Sequence, residues 1–487
     1  VFRKKVLSKP VDKPVVVNQR HLIDKILARY PTKFTVFRQL IQNSEDAQSS
    51  KVEIKFETTN PKTDRNTLKD KTKRIVFRNN GITFKLQDWD RIRQIAVGNF
   101  DEQKIGAFGV GFYSVFSVCE EPFIISDGQG MAFYWRDEQL FTRQGEIDEI
   151  DNRVWTIFAM DLRELTEFPS VEEFTQFLAS LLEFETRKLI SITSGAETFS
   201  QKKMFQLTSI NVEEIKLDAL VLKNGSNGSL ITDHKPEDSS IFFKIFSGNL
   251  DVLVDEKFSK EMRRITKKNL PSVKAIQMIF TGSEVIIPPI FKKLFPYPKP
   301  GRIYIGFPTQ QTTGYCSHFA ARVISTVDHE SIDLVDKTLA VYNSEILRLA
   351  GVLCRILYED EMNQIKKRYE EVNDENIKHI HEQLEKRFAY TLTYFTFEPS
   401  TPDALVSEII ESQFFGYTEQ KPLFLLTRSV LQMTEVRMPN SEMEGFIKKI
   451  PVVPKIVFEQ CDSFFRKAKN KYMKELSFQD VLIELKI

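Results

Sequence analysis

Histidine and cysteine are scarce in this chain of 487 residues, with six and four copies, and neither is arranged for chemistry. Cys119, Cys316, Cys354 and Cys461 lie far apart and form no CxxC pair. That spacing excludes a zinc ribbon or redox dithiol and predicts reduced, mostly buried thiols in a cytoplasmic or nuclear protein. His379 and His381 are two apart and would face different sides of a helix, so no metal-ligating cluster is expected from them. No run approaches the roughly 18 apolar residues of a membrane span, and no signal-peptide pattern is present. An excess of either charge is also missing: Lys+Arg number 68 and Asp+Glu 67, for a formal net charge of +1. A duplex-binding protein normally carries surplus cations to displace phosphate counterions, so nucleic acid is not the expected partner. The chain begins with Val1 rather than Met, as a piece of a longer protein would.

What the chain has in abundance is phenylalanine. Its forty copies supply large buried area per side chain, and a 41% hydrophobic, 28% charged composition is that of a globular protein. The length predicts two to four domains. Helical spacing covers 20–29, stopped by Pro31, and 35–47. Strand-like runs follow at 52–56 and 74–77, helical spacing returns at 89–95, and a glycine-rich turn at 106–111 precedes a helix start at Phe112. Further strands are expected at 122–126, 131–135 and 154–160, and a charged, helix-favouring stretch at 170–186. Helices on one side of a largely antiparallel sheet make an α+β sandwich.

A second α/β unit is read over 191–350, with strands at 240–246, 275–280 and 302–307 and a long helix over 335–349. The stretch 358–388 is charged and helical, and a solvated face is its ordinary reading. Domains are therefore expected at 1–190, 191–350 and 351–487, the last mixed and helix-rich. Asn224 and Asn227 each begin a glycosylation sequon, but the flanking apolar runs make hairpin-loop chemistry the better reading.

On the helix 35–47, Phe37, Leu40, Ile41 and Ala47 supply apolar positions, while Gln39, Asn43 and Asp46 form a polar stripe at i, i+4 and i+7 on another side. The loop Gly106-Ala-Phe-Gly109-Val110-Gly111 lets backbone approach an anion closely, with helix N–H groups behind it. It is neither a dinucleotide fingerprint nor a P-loop, because Phe112-Tyr-Ser stands where the Lys-Ser/Thr ending would be.

Taken together, these boxes carry a resemblance. Phe37 to Ala47, Arg78-Asn79-Asn80-Gly81-Ile82-Thr83, Lys104 to Ser114 and Val154-Trp-Thr156 resemble, in order, the four nucleotide boxes of the GHKL (Bergerat-fold) ATPases. Residues 105–114 are close to the version in the ninety-kDa heat-shock chaperones, whereas 26–47 and 84–89 more resemble sacsin-like proteins. Residues 314–333 resemble the middle segment of sacsin-like proteins. The runs 395–402 and 451–454 look like an uncharacterised family of large fungal proteins.

The resemblance implies a Bergerat-type ATP-binding domain, an α/β transducer-like middle domain, and roles for matching residues. Asn43 would hold Mg²⁺, with Asp46 beside it. Asn79 stands where an aspartate usually accepts the adenine amino group, and Gly81 would leave room for the base. Lys104, Gly106, Gly109, Val110, Gly111 and Phe112 would surround the phosphates, behind a short lid at 99–104. Thr156 would close the pocket at adenine, and Arg322 is a candidate to reach the γ-phosphate from the middle domain. Gln39 stands where active members carry the glutamate general base. An amide has no useful basicity near neutral pH, although it can orient water. Two readings follow: a chaperone-like Mg·ATP switch with slow hydrolysis, protein clients and a nucleotide-dependent dimer, or a pseudo-ATPase scaffold that binds nucleotide without turnover or has lost binding altogether. A histidine kinase is disfavoured because only His21, on a short helix, precedes the domain, and a DNA-processing engine by the neutral charge.

Overall fold

The structure is a computed structural model, and it describes residues 17–28, 34–59, 71–95, 111–147, 154–167, 173–174, 177, 190–192, 205–218, 222–224, 230–232, 240–266, 275–282, 295–326, 331–371, 377–417, 423–426, 429–469 and 472–485. The chain divides into two compact units, the first running to Val171 and the second from Glu172 to Ile487. The class is mixed α+β: two large sheets and a helical C-terminal region.

The first unit holds α1 (Gln19–Leu27), α2 (Thr35–Asp46) and α3 (Leu86–Ile92) with an antiparallel sheet of six strands. These are β1 (Val52–Thr58), β2 (Thr72–Asn79), β3 (Phe123–Ser126), β4 (Gln129–Arg136), β5 (Gln139–Glu146) and β6 (Thr156–Thr166), in the order β1-β2-β6-β3-β4-β5. Register puts Ile75 opposite Met160, Phe77 opposite Phe158, and Phe158 opposite Ile124. All five are buried, so the period-two alternation of the strands gives one apolar face. The rings of Phe77 and Phe158 meet edge-on with centroids 6.2 Å apart.

Helix α1 starts where the Asn18 side chain accepts from the His21 N–H at 2.8 Å. Helix α2 ends in a left-handed residue, Gln48 at φ 56°, with Gln48 N–H donating to Glu45 O (2.8 Å) and Ser49 N–H to Ser44 O (3.0 Å). That doubly bonded stop fixes where the helix ends relative to β2. Beyond the glycine loop the expected helix at Phe112 is a 3-10 turn, Gly111–Ser117, with Phe112 to Phe116 all buried.

In the second unit the strands are β7 (Ile190–Ile192), β8 (Phe205–Asp218), β9 (Leu222–Asn224), β10 (Leu230–Thr232), β11 (Ser240–Val252), β12 (Ala275–Phe280), β13 (Arg302–Ile305), β14 (Phe307–Thr312) and β15 (Phe319–Ala320). Seven form a sheet in the order β14-β13-β15-β12-β11-β8-β7, parallel only between β13 and β15. Strands β9 and β10 pair antiparallel, the arrangement expected around the two sequons; their loop lies outside the described residues. The helices are α4 (Glu256–Thr266), α5 (Lys337–Glu370), α6 (Ile377–Tyr394), α7 (Leu405–Gly416), α8 (Lys455–Gln460), α9 (Asp462–Lys469) and α10 (Phe478–Leu485).

Two expectations need correction here. The boundary at 350 falls inside α5, a single 34-residue helix, and one core runs from Phe205 through Tyr358, Phe395 and Phe414 to Met473. Residues 351–485 therefore complete the core of the strands before them rather than form a domain of their own. The stretch 358–388 also has more than a solvated face. Glu361 on α5 is 3% exposed and its Oε2 accepts from Arg387 of α6 at 2.7 and 3.0 Å. Burial raises the Glu361 pKa and the Arg387 guanidinium opposes that rise. The helix expected at 170–186 lies almost wholly outside the described residues.

The runs 314–322 and 395–402 pack on each other. Glu398 N–H donates to Gly314 O (2.7 Å), and Thr312 N–H to Thr401 O (2.7 Å). Gly314 has φ 83°, and a Cβ there would meet Glu398 O at 2.6 Å, so glycine is required twice over.

All four cysteines are free and buried. Burial pushes the Cys119 thiol up to about 11 and those of Cys316 and Cys354 to about 12. The thiolate is the reactive form, so at pH 8 the native chain should react with a disulfide reagent about tenfold or more slowly than the chain in guanidinium. Equal rates in the two states would contradict this packing.

Candidate functional site

The buried face of the first sheet changes character at one end. Asn79 closes β2, Thr156 opens β6 and Ser126 ends β3, and they are 3%, 2% and 0% exposed. Asn79 pairs with Thr156 in the register, and the Ser126 and Thr156 hydroxyls lie 2.8 Å apart. Three adjacent strands thus carry a polar row directly beyond the apolar row of Phe77, Phe158 and Ile124. Buried hydroxyls and amides are costly without partners. Here Asn79 Oδ1 accepts from Gly81 N–H at 3.1 Å, and Ser126 Oγ from Phe84 N–H at 3.0 Å.

Helix α2 supplies the other wall. Of its polar stripe, Gln39 is 5% exposed, while Asn43 and Asp46 are half-buried. The stripe is therefore not a solvated face, because Gln39 lies against Gly111. A Cβ on Gly111 would collide with the Gln39 amide oxygen and come within 3.3 Å of its Cδ. Asn43 follows one turn on, and among the described residues nothing hydrogen-bonds its side-chain amide. Asn80, the neighbour of Asn79, has a purely structural job: its Oδ1 accepts from Ser50 N–H (3.0 Å) and Lys51 N–H (2.7 Å), tying the loop after α2 to the end of β2.

Two of the implied residues also have packing contacts of their own. A Cβ on Gly81 would meet Ala47 O at 2.6 Å and Ala47 Cβ at 2.8 Å. The space left by its missing side chain is taken by the end of α2, whose Ala47 O accepts from Ile82 N–H at 2.7 Å. The Phe112 side chain is a core ring, 5.2 Å from Phe133 and 6.4 Å from Phe158 between centroids, so only its backbone is left for a ligand. Lys104, Gly106, Gly109, Val110 and the lid 99–104 lie outside the described residues. Arg322 belongs to the second unit, where it is half-buried and its carbonyl accepts from the Tyr342 hydroxyl at 3.0 Å. Ser126 was missed by the sequence reading: a lone serine at a strand end carries no motif, and only the pairing of β3 with β6 reveals it. Among the described residues no helix is long and apolar enough to cross a membrane, and no three His, Cys, Asp or Glu side chains gather as a metal site.

Comparison with known proteins gives the class first. Residues 18–179 match the family model described as "Sacsin domain". Over 109 residues, 21% of this chain, the sequence is 34% identical to human sacsin (Homo sapiens), of whose own length only 2% is covered. Residues 193–487, more than half of the chain, match the family described as "Protein of unknown function (DUF3684)", and the chain belongs to that family. A solved structure titled "Crystal Structure of N terminal domain of a DNA repair protein" overlaps 67% of this chain and 96% of its own, at 11% identity and a TM-score of 0.27.

Because Gly81 and Ala47 are in contact, Gly81→Ala should destabilise the first unit by about 1–3 kcal/mol through overpacking. Denaturant unfolding monitored in that unit checks it; an unshifted midpoint would contradict the close approach of α2.

Proposed function

We propose that the first unit is a Mg·ATP-binding module of the GHKL (Bergerat) type whose nucleotide state acts as a chaperone-like switch, with slow hydrolysis. The observation that carries this reading is the pairing of two walls. A buried polar row, Asn79, Thr156 and Ser126, ends the sheet face, and α2 carries Gln39 against Gly111 and Asn43 one turn along. All but Ser126 are positions at which the sequence resembles the nucleotide boxes, and the Sacsin-domain match covers all of them.

The roles divide along α2. At the sheet end, Asn79 and Thr156 hold the base. Asn43 offers one amide oxygen, a thin ligand set that suits Mg²⁺ because this ion keeps waters and takes substrate phosphates as its other ligands. When bound, the ion would neutralise phosphate charge. The Gln39 amide stands at the edge of the glycine turn, where it can orient a water but not deprotonate it. Nucleotide-dependent dimerisation and protein clients belong to the same proposal. A cytoplasmic or nuclear site is consistent with four free, buried thiols.

The contact between Gln39 and Gly111 favours one other reading. A packed amide in place of a base suits a pseudo-ATPase scaffold that binds nucleotide without turnover.

Two variants test the site. Asn43→Ala should weaken Mg·ATP binding, read by calorimetry, about tenfold or more, equivalent to ~1.4 kcal/mol; unchanged affinity would remove Asn43 from the pocket. Gln39→Glu places a carboxylate at the same point and should raise phosphate release by roughly 10²-fold or more if the rest of the machinery is intact. No gain at all would favour the scaffold.

A further inference from the structure

The sheet of the first unit ends on β5, an edge strand beside β4. An unpaired edge is a template for another chain, and proteins normally cover or blunt it. Register and hydrogen bonds fix which residues face outward along β5. Phe133 of β4 donates its N–H to Pro122 O at 3.1 Å, on the β3 side, so its partner Thr142 turns its own main-chain groups away from the sheet. Leu140, two residues earlier, does the same, and there the edge is covered. Its N–H donates to Gln19 Oε1 of α1 at 2.7 Å. Beyond that cap the cover stops: among the described residues nothing bonds the outward main-chain groups of Thr142 or Gln144.

The face beside this open edge is cationic and aromatic. Successive strand residues alternate faces, so Tyr134 and Arg136 of β4 share one face with Phe141 and Arg143 of β5. The Tyr134 and Phe141 rings stack with centroids 6.0 Å apart. The Arg136 guanidinium lies 5.2 Å from the Phe141 ring centroid, reaching across to the edge strand, and that of Arg143 lies 6.0 Å from the Tyr134 ring. Both arginines are exposed, and among the described residues neither pairs with a carboxylate. The hairpin's own acids are placed elsewhere. Glu138 accepts from Asn18 at 3.1 Å, and alternation puts Glu146 on the opposite face. A guanidinium that stacks on a ring keeps its N–H donors for a carboxylate at its rim.

We infer that β5 receives an added strand from a partner protein, an extended acidic segment with Asp or Glu at alternate positions. The main-chain groups of Thr142 and Gln144 hold its backbone. Its acidic side chains then stand on one face, beside Arg143 and beside the Arg136 guanidinium over Phe141. A nucleic acid would find the cations but has no alternating N–H and C=O groups to match the edge, so the open strand favours a peptide.

The test titrates the full chain, without nucleotide, into a fluorescent octapeptide of alternating Glu and Thr, read by anisotropy. An alternating Lys and Thr octapeptide and an oligothymidylate of the same charge as the acidic peptide are the comparisons. The acidic peptide should bind about tenfold or more tightly than the basic one, the scale of two cross-strand charge pairs turned from attraction to repulsion. Arg136→Glu together with Arg143→Glu should reverse that order. Only every second N–H of an added strand faces β5, so methylating alternate peptide nitrogens should cost about tenfold in one phase and little in the other. No saturable binding of the acidic peptide would overturn the inference, as would equal binding of both peptides or tighter binding of the oligothymidylate. Equal losses in both methylation phases, or a preference that survives the charge exchange, would overturn it too. The wild-type comparisons decide the matter even if the doubly exchanged chain fails to fold.

Discussion

Helix α2 can lie against the end of β2 and the start of the 3-10 turn because two of its neighbours, Gly81 and Gly111, have no side chain. At Gly81 the carbonyl and methyl of Ala47 fill the place a Cβ would need, and at Gly111 the Gln39 amide does. These two contacts set the position of the helix. The left-handed Gln48 and the hydrogen bonds to Asn80 hold its far end in register with the strand. Gln39 and Asn43 consequently sit on a helix fixed at both ends, while the strand register independently brings Asn79, Thr156 and Ser126 into line. Side chains held on a helix and on strand ends are more precisely placed than side chains on loops.

Polarity is distributed economically across this arrangement. Most of the sheet face is apolar, and its polar residues are gathered at one end, where backbone N–H groups from Gly81 and Phe84 satisfy two of them. Each such bond stabilises the row modestly, but the desolvation cost of leaving it unmade is larger.

Much of this was legible in the sequence, and what was hidden has identifiable causes. The i, i+4, i+7 spacing placed Gln39, Asn43 and Asp46 on one side of a helix, but spacing does not say what covers that side, and Gln39 is covered by Gly111. Gly81 was legible as part of its box, but only the fold shows its packing reason, Ala47 beside it. Ser126 has no local signature at all. In the second unit the periodicity found the strands at 240–246, 275–280 and 302–307, yet the boundary drawn at 350 cuts a helix that sequence composition divides into an apolar and a charged half. The charged half finds its partner 26 residues away, Arg387 for Glu361, across a pairing that no short window contains.

The most direct test of the nucleotide site is a crystal structure of the chain grown with Mg²⁺ and a non-hydrolysable purine triphosphate. It should place the metal on the Asn43 amide oxygen, the base against Asn79 and Thr156, and the terminal phosphate beside Gln39. A cleft filled by the protein's own side chains, or a nucleotide bound elsewhere with Asn43 turned away from it, would contradict the account.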